Sequence, residues 1–372
     1  MTSLTRKLYA VGAAGALTLS LAACSDGGAG GGGGGNTDAA GTECNVGISM
    51  PTRSLERWIN DGEGLETKLK DAGCTVDLQY ADNKTNEQIN QIQNQIAGGA
   101  KILVIAPIDG KVLGPVLAEA KSQDATVISY DRLIEGTEDV DYLVTFDNFK
   151  VGAMQGAFIE EQLGLADGEG PYNFEPFAGS PDDPNAGFFF SGAWDVLNPY
   201  VKSGQLVVPS GKAPETNEGW TSIGIQGWGS DDAQAEMDNR LSSFYSGGEK
   251  IDVVLSPNDS LALGIEASLK SAGYSAGASW PLITGQDADK ANVKAILAGE
   301  QAMTVWKDTR ELGDQVAAMI QSLVDGETPE ITDTETYNNV PTYVLEPQVV
   351  VKDDVQTMLV DSGFVKASDV GL

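Results

Sequence analysis

The chain has 372 residues, of which 54 are acidic and 23 are basic, so its formal net charge is −31 at neutral pH. This excess of negative charge repels nucleic acid, and we predict no nucleic-acid partner. The sequence contains no histidine, which excludes imidazole bases, histidine-dependent triads and histidine-ligated zinc. Most hydrolase mechanisms are thereby excluded, and we predict neither a metal site nor a cofactor.

The N-terminus has the pattern of a lipoprotein precursor. Two basic residues precede an apolar run, which Leu21-Ala22-Ala23-Cys24 ends with small residues before a cysteine. This pattern predicts a signal peptide over residues 1–23, a lipid anchor on Cys24 and a position at the outer face of the cytoplasmic membrane. The alternative is an uncleaved transmembrane helix, but that needs about 20 apolar residues, more than this run offers. The glycine-rich residues 24–43 are predicted to form a flexible tether.

Residues 44–372 remain for the fold, which exceeds the size at which one core usually keeps growing, so two domains are expected. Short apolar segments alternate with helical patterns, such as the one that places Trp58, Leu65 and Leu69 on one face. Such alternation predicts parallel sheets covered on both faces. We predict two doubly wound α/β lobes rather than one large sheet or a barrel. The predicted strands are Asn45–Met50, Thr75–Tyr80, Ile102–Ile105, 126–128, Tyr142–Phe146, 173–177, 206–208, 252–255, 282–284 and 302–306.

The two cysteines beyond Cys24 are predicted to form a disulfide. Cys44 and Cys74 each stand just before an apolar strand, and parallel neighbouring strands would place them side by side at one sheet edge. Thiols outside the cytoplasm tend to pair. The alternative is two free thiols.

Polar side chains follow the predicted strands at the point where each strand ends. Because ligands of open parallel sheets bind at the carboxyl ends of the strands, these side chains predict one shared cleft. Carboxylates, amides and cations suit a neutral polyol, which offers hydroxyl groups that both donate and accept hydrogen bonds. For any one of them, the alternative is a salt-bridged or helix-capping loop residue. They are Asp131 and Arg132, Asp147 and Asn148, Asn258 and Asp259, Gln286 and Asp287, and Lys307.

Seven short stretches, in the same order along the chain, resemble a known family. The chain is similar to the sugar-binding proteins of bacterial ABC importers, which have the type I periplasmic binding fold, and within them to the xylose-binding and multiple-monosaccharide-binding group. The matching stretches are LERW at 55–58, ISYDR at 128–132, TFDN at 145–148, GSPDDPNA at 179–186, LSPND at 255–259, GQDA at 285–288 and VWKDTR at 305–310.

This resemblance implies a set of ligand-binding residues. Two tryptophans are expected to stack on a sugar ring, Trp228 and Trp58, although Trp58 also lies on an apolar helix face and core packing is its alternative. Phe188, Phe189 and Phe190 could line the same site or start a buried helix. The implied polar shell around one monosaccharide consists of Arg57, Asp131, Arg132, Asn185, Asn258, Asp287 and Lys307.

The resemblance also implies a hinge and a transport function. The chain is expected to cross between the lobes near residues 147, 307 and 343, so that 44–147 with 308–343 form one lobe and 148–307 with 344–372 the other. Closure around the sugar would present the protein to the permease subunits of an ABC importer. We expect a monomer.

The identity of the sugar is predicted from one position at which this chain differs from the multiple-monosaccharide binders. The multiple-monosaccharide binders carry an arginine just before the stacking tryptophan, whereas this chain has Gly227, as does the xylose-binding branch. The resemblance therefore favours D-xylose, followed by D-glucose.

Two alternative functions remain open at this point. A receptor that presents its sugar to a membrane sensor would have the same sequence features as an importer component. A glycosidase needs two carboxylates, for which Asp131 and Asp287 are the candidates. Neighbouring Arg132 and Lys307 would hold both ionised and leave no proton donor, so we predict that the protein is not an enzyme.

Overall fold

The computed structural model describes residues 43–277 and 279–372. The predicted signal peptide, Cys24 and the tether up to residue 42 lie outside the described residues. Among the described residues, none of the helices combines the length and the apolarity that crossing a membrane requires.

The first lobe is built on a six-stranded parallel sheet with the order β2-β1-β3-β4-β5-β11. Its strands are β1 Asn45–Met50, β2 Thr75–Tyr80, β3 Ile102–Ile105, β4 Thr126–Tyr130, β5 Tyr142–Phe146 and β11 Thr342–Leu345. Helices cover it, namely α1 Glu56–Asp71, α2 Thr85–Ala97, α3 Gly114–Ser122 and α9 Thr309–Val324. Helix α1 forms here because Trp58, Leu65 and Leu69 share one buried face.

The second lobe repeats this arrangement. Strands β6 Tyr172–Pro176, β7 Leu206–Val207, β8 Val253–Leu255 and β9 Leu282–Ile283 form a parallel sheet with the order β7-β6-β8-β9. Strand β10 Met303–Trp306 continues it, since the Val305 amide donates to the Gly285 carbonyl at 2.9 Å, and β12 Gln348–Val351 pairs antiparallel with β10. The helices are α4 Asn148–Gln162, α5 Pro184–Ser203, α6 Ser230–Phe244, α7 Asp259–Ser271, α8 Lys290–Ala298 and α10 Ala367–Val370, with 3₁₀ turns at Asn217–Ile223 and Gln226–Trp228.

The strand order confirms the predicted pair of doubly wound α/β lobes. The chain passes between the sheets after β5, after β10 and between β11 and β12. The third passage lies between residues 345 and 348, beyond the predicted position near 343. The cause is pairing that the local sequence does not reveal: Tyr343, Val344 and Leu345 still pair with β5 in the first lobe.

The disulfide predicted from the strand positions is present between Cys44 and Cys74. Strands β1 and β2 are parallel neighbours, with Asn45 opposite Thr75. The two cysteines therefore start adjacent strands at the same edge of the sheet, which is the arrangement that the sequence indicated.

Glycines bring α4 and α5 close together and so fix the beginning of α5. A Cβ atom at Gly152 would meet the Phe189 carbonyl oxygen at 1.8 Å, and one at Gly192 would meet the Phe149 carbonyl oxygen at 2.0 Å. Only glycine permits this approach of the two backbones. Because α5 begins at the carboxyl end of β6, this packing positions the functional residues in its first turn.

Candidate functional site

A cleft between the lobes collects polar side chains from the carboxyl ends of both sets of strands. Every residue predicted to bind ligand lines it: Arg57, Trp58, Asp131, Arg132, Asn185, Trp228, Asn258, Asp287 and Lys307. Leu55, Asp183, Phe189 and Gln286 complete the lining. Most of the predicted strand-end residues thus meet in the cleft, as the topology of open parallel sheets predicts. Three do not line it and follow the capping or structural alternative. Asp147 caps α4 by accepting from the Lys150 backbone amide, Asn148 donates to Thr145 Oγ1, and Asp259 accepts from Gln301 Nε2.

Arg57, in the first turn of α1, joins three carboxylates. Its Nη2 lies 3.0 Å from Asp61 Oδ2 and 2.9 Å from Asp131 Oδ2, both in the first lobe. Its Nη1 lies 3.5 Å from Asp287 Oδ1 in the second lobe. Burial lowers the pKa of Arg57, but the three carboxylates outweigh that effect and raise the pKa well above its ordinary value. Arg57 is therefore a permanent cation that links the lobes.

Three residues of the cleft have a left-handed backbone, which costs a non-glycine residue about 1 to 3 kcal/mol. The φ angles are 62° at Asp131, 57° at Trp228 and 100° at Asp287. The Asp131 amide donates to the Val144 carbonyl at 2.8 Å, and the Asp287 amide donates to the Val305 carbonyl at 3.0 Å. Neighbouring strands thus hold both turns in strained conformations. Strain that recurs in one cleft indicates a functional site.

Asp183 connects a cation of the first lobe with a tryptophan of the second. Arg132 Nε lies 2.8 Å from Asp183 Oδ2, and Trp228 Nε1 donates to the same oxygen at 3.0 Å. The backbone amide of Asn185 donates to Asp183 Oδ1 at 2.9 Å, so Asp183 also caps α5. Burial raises the pKa of Asp183, and Arg132 opposes this rise. Asp183 therefore fixes both a guanidinium group and an indole ring at the cleft wall.

The two tryptophans occupy different environments. Trp228 is 5% exposed, and its ring lies over Gly179, where a Cβ atom would meet the ring at 2.0 Å. Trp58 is 1% exposed and packs in the core of the first lobe. Arg57 and Arg132 place their guanidinium carbons 4.3 and 5.0 Å from the centre of the Trp58 ring. Trp58 thus both belongs to the core and lines the cleft.

Lys307 and Asn258 complete the polar lining from the second lobe. Lys307 Nζ lies 3.2 Å from Asp287 Oδ1 and 5.3 Å from the centre of the Phe189 ring. Asn258 accepts a hydrogen bond from the Leu261 amide through Oδ1 at 3.0 Å. Its Nδ2 group is left as a donor toward the cleft.

The side chains of the cleft contact one another across the lobes. The free space among them is about 30 Å³, room for only a few water molecules, whereas pockets for small organic ligands span roughly 300 to 1,000 Å³. Asn185 Nδ2 donates to the Asp131 carbonyl at 2.9 Å, which joins the second lobe to the first. A ligand the size of a sugar ring therefore requires the lobes to separate before it can enter.

Most residues of this site were predicted from the sequence, but Asp183 and Asp61 were not. Asp183 lies in the loop after β6 and within the matching stretch at 179–186, so that stretch could have identified it. Asp61 carries no such signal, since its contact with Arg57 depends on one turn of helix in a buried position.

Gly227 faces the outside of the cleft, and the nearest atom to a Cβ placed there would be Asn83 Nδ2 at 3.8 Å.

Replacing Arg132 by alanine is expected to lower ligand affinity at least tenfold, because a charged hydrogen bond is worth roughly 1.5 to 3 kcal/mol. We also expect a lower free energy of unfolding, since Asp183 loses its buried partner. Calorimetric titration and urea unfolding measure the two effects. Adding Asp183→Asn should restore part of the stability but not the affinity. Wild-type affinity in Arg132→Ala would contradict a role of Arg132 in ligand binding.

Two α/β lobes around a cleft of buried carboxylates, amides, cations and indole rings define a two-lobed binding protein. Residues 46–328 match the family described as periplasmic binding protein domain, and the chain belongs to that family. This family works outside the cytoplasm and is not enzymatic, so the predictions of an extracytoplasmic position and of no enzymatic activity are confirmed.

Three known proteins similar to this chain have names or descriptions that refer to sugars. It is 47% identical to a multiple sugar-binding periplasmic receptor of Rhizobium radiobacter over 89% of this chain and 93% of that protein. It is 35% identical to the D-xylose-binding periplasmic protein of Escherichia coli K12 over 90% of this chain and 95% of that protein. An ABC transporter solute-binding protein from Clostridium phytofermentans with bound β-D-glucose has 45% identity and a TM-score of 0.83, covering 88% and 99% of the two chains.

Proposed function

We propose that the protein binds one monosaccharide in the cleft between its lobes, with D-xylose preferred and D-glucose next. The observation that carries this proposal is the collection of donors and acceptors around two indole rings. Arg57, Arg132 and Lys307 donate, whereas Asp131 and Asp287 accept, so adjacent hydroxyl groups of a sugar find partners of both kinds. Indole faces suit the C–H side of a pyranose ring.

The names of the similar proteins support a sugar ligand. One is a multiple sugar-binding receptor, one binds D-xylose by its name, and one holds β-D-glucose. Their identities of 47%, 35% and 45% extend over most of this chain. The preference for D-xylose rests on the resemblance to the xylose-binding branch, which shares Gly227, and not on a contact of Gly227 within the cleft, because this residue lines only the space outside it.

Binding and release are proposed to follow hinge motion. The sugar would enter between separated lobes and then replace the direct contacts among cleft residues, including the long pair between Arg57 and Asp287. The closed form would deliver the sugar to an ABC importer, since a similar structure is an ABC transporter solute-binding protein. We further propose that the mature protein is a monomer, anchored to the outer face of the membrane by a lipid on Cys24.

A ligand that binds only the folded state stabilises it by mass action, which allows a direct test of sugar binding. At a concentration 100 times the dissociation constant, the gain is about 2.7 kcal/mol. We therefore expect D-xylose to raise the melting temperature by several degrees, as measured by differential scanning calorimetry. L-xylose is the matched control, because it has the same groups in mirror-image positions. Equal melting temperatures with D-xylose, D-glucose, L-xylose and buffer would contradict the proposed function.

A further inference from the structure

The helix that carries Arg57 and Trp58 begins with an unusual residue. Leu55 is the N-cap of α1, with φ −108° and ψ 125°, and it makes no side-chain capping hydrogen bond. Serine, threonine, asparagine and aspartate are strongly preferred at this position because their oxygens accept from the free amides of the first turn. Leucine leaves those amides without that partner. The Leu55 side chain therefore contributes no capping hydrogen bond to α1, and its contacts lie elsewhere.

Leu55 makes apolar contacts with both lobes. It is half-buried, and it packs against the core cluster of the first lobe, which contains Trp58. It also packs against the cluster of the second lobe, which contains Phe189 and Trp228. Since Leu55 belongs to the first lobe, its contact with the second exists only when the lobes are together. The leucine side chain thus favours the closed arrangement at one point of the cleft rim.

Leu55 also separates two spaces. On one side lies the sugar cleft, which Leu55 and Trp228 both line. On the other side lies a groove of about 430 Å³, here called the outer groove, whose lining includes Ser54, Leu55, Asn83, Gly227, Trp228 and Asp231. Leu55 and Trp228 are the residues that the two spaces share. They form a largely apolar partition between the polar cleft and the open polar groove.

We propose that Leu55 is a gate residue, which closes the sugar cleft toward the outer groove, slows release of the sugar and excludes ligands with a second ring on that side. This inference rests on the proposed sugar binding. An apolar seal keeps water from the hydrogen bonds between the sugar and the charged residues, which are stronger in a dry site. Most differences in affinity between related complexes arise in the dissociation rate, so the effect is expected there.

Two variants separate gating from folding. Asparagine is a favoured N-cap, so in Leu55→Asn the capping hydrogen bond gained should offset much of the apolar burial lost, and the melting temperature of the sugar-free protein should change little. Leu55→Ala opens the partition without adding a polar group. In both variants we expect D-xylose to dissociate roughly tenfold faster or more, with little change in the association rate. Both should also bind xylobiose, which the wild-type protein should bind only weakly.

Stopped-flow experiments that follow tryptophan fluorescence measure the rates, and calorimetric titration measures xylobiose binding. Lys84→Asn is the matched control. Lys84 is the N-cap residue of α2, it likewise makes no side-chain capping hydrogen bond, and it lies outside the lining of the cleft. It should share any gain in melting temperature but keep the wild-type dissociation rate. A dissociation rate of Leu55→Asn and Leu55→Ala within twofold of wild type, or continued exclusion of xylobiose by both, would overturn the gate. A wild-type protein that binds no sugar would instead refute the proposed function.

Discussion

Replacing Arg57 by alanine is expected to lower sugar affinity more than a hundredfold and the free energy of unfolding by about 3 to 5 kcal/mol. Removal of one partner from a buried ion pair leaves an uncompensated charge, and the cost of this is typically of that size. Here Asp61 and Asp131 are both buried, and each lies within 3.0 Å of Arg57 Nη2. The affinity falls because Arg57 also links the cleft to Asp287. A hundredfold loss corresponds to about 2.7 kcal/mol, which one or two charged hydrogen bonds supply.

The same variant should change how binding depends on pH. Burial raises the pKa of Asp131, but Arg57, Lys307 and Arg132 outweigh it and hold the pKa below its ordinary value. The ionised carboxylate therefore stabilises the protein above the pKa of the unfolded chain, and this contribution is lost as the pH falls through the lower folded pKa. Without Arg57 the pKa of Asp131 in the folded protein rises. As the pH is lowered, the sugar affinity and the free energy of unfolding should therefore begin to fall at a higher pH than in the wild type.

Urea unfolding and calorimetric titration at several pH values measure these effects. Arg53→Ala is the matched control, since Arg53 lies four residues earlier, is exposed and only covers the Tyr80 ring at 3.9 Å. It should bind sugar and unfold almost as the wild type does. If Arg57→Ala behaves like Arg53→Ala, Arg57 is not the centre of the cleft.

Replacing Cys44 and Cys74 together by serine is expected to lower the free energy of unfolding by roughly 3 to 4 kcal/mol. The disulfide closes a loop with a sequence separation of 30 residues, and on the chain-entropy model a loop of this length gives about that stabilisation. The bond joins strand starts at the opposite end of the sheet from the cleft. Sugar affinity should therefore be unchanged.

Urea unfolding of the double variant beside wild type measures the loss. Thiol counting on denatured, unreduced wild-type protein is the independent control, and it should find neither Cys44 nor Cys74 free. Two free thiols from these positions, or equal unfolding curves, would show that the bond does not form or does not stabilise the fold.

The fold could be predicted from the sequence because its signals are local. Each strand is a short apolar run, and each helix shows an apolar face such as that of Trp58, Leu65 and Leu69. Two features are not local. Strand β11 belongs to the first lobe only because it pairs with β5, almost 200 residues earlier, and the turn at Gln226–Trp228 has no periodic pattern.

The site shows the same division. Asp131 and Asp287 could be placed in a cleft because they follow strands, and the resemblance added Arg57 and Asn185 from the matching stretches. The role of Asp183 depends on Arg132 and Trp228 meeting from different lobes, which no short sequence pattern encodes. Leu55 belongs to the matching stretch at 55–58, but its position between two apolar clusters depends on how the lobes pack and not on the local sequence.

Isothermal titration of the wild-type protein with D-xylose, D-glucose, D-ribose and the disaccharide xylobiose tests the central claim most directly. D-xylose should bind best, in one site per chain. D-glucose adds a hydroxymethyl group, and a fitted pocket discriminates against such a group by only about 1 to 3 kcal/mol, so it should follow within ten- to two-hundredfold. D-ribose inverts the hydroxyl at C3 and leaves a buried polar partner unpaired, which costs about 1 to 3 kcal/mol. Tighter binding of D-ribose or a disaccharide than of both D-xylose and D-glucose, or no heat with any of the sugars, would contradict the account.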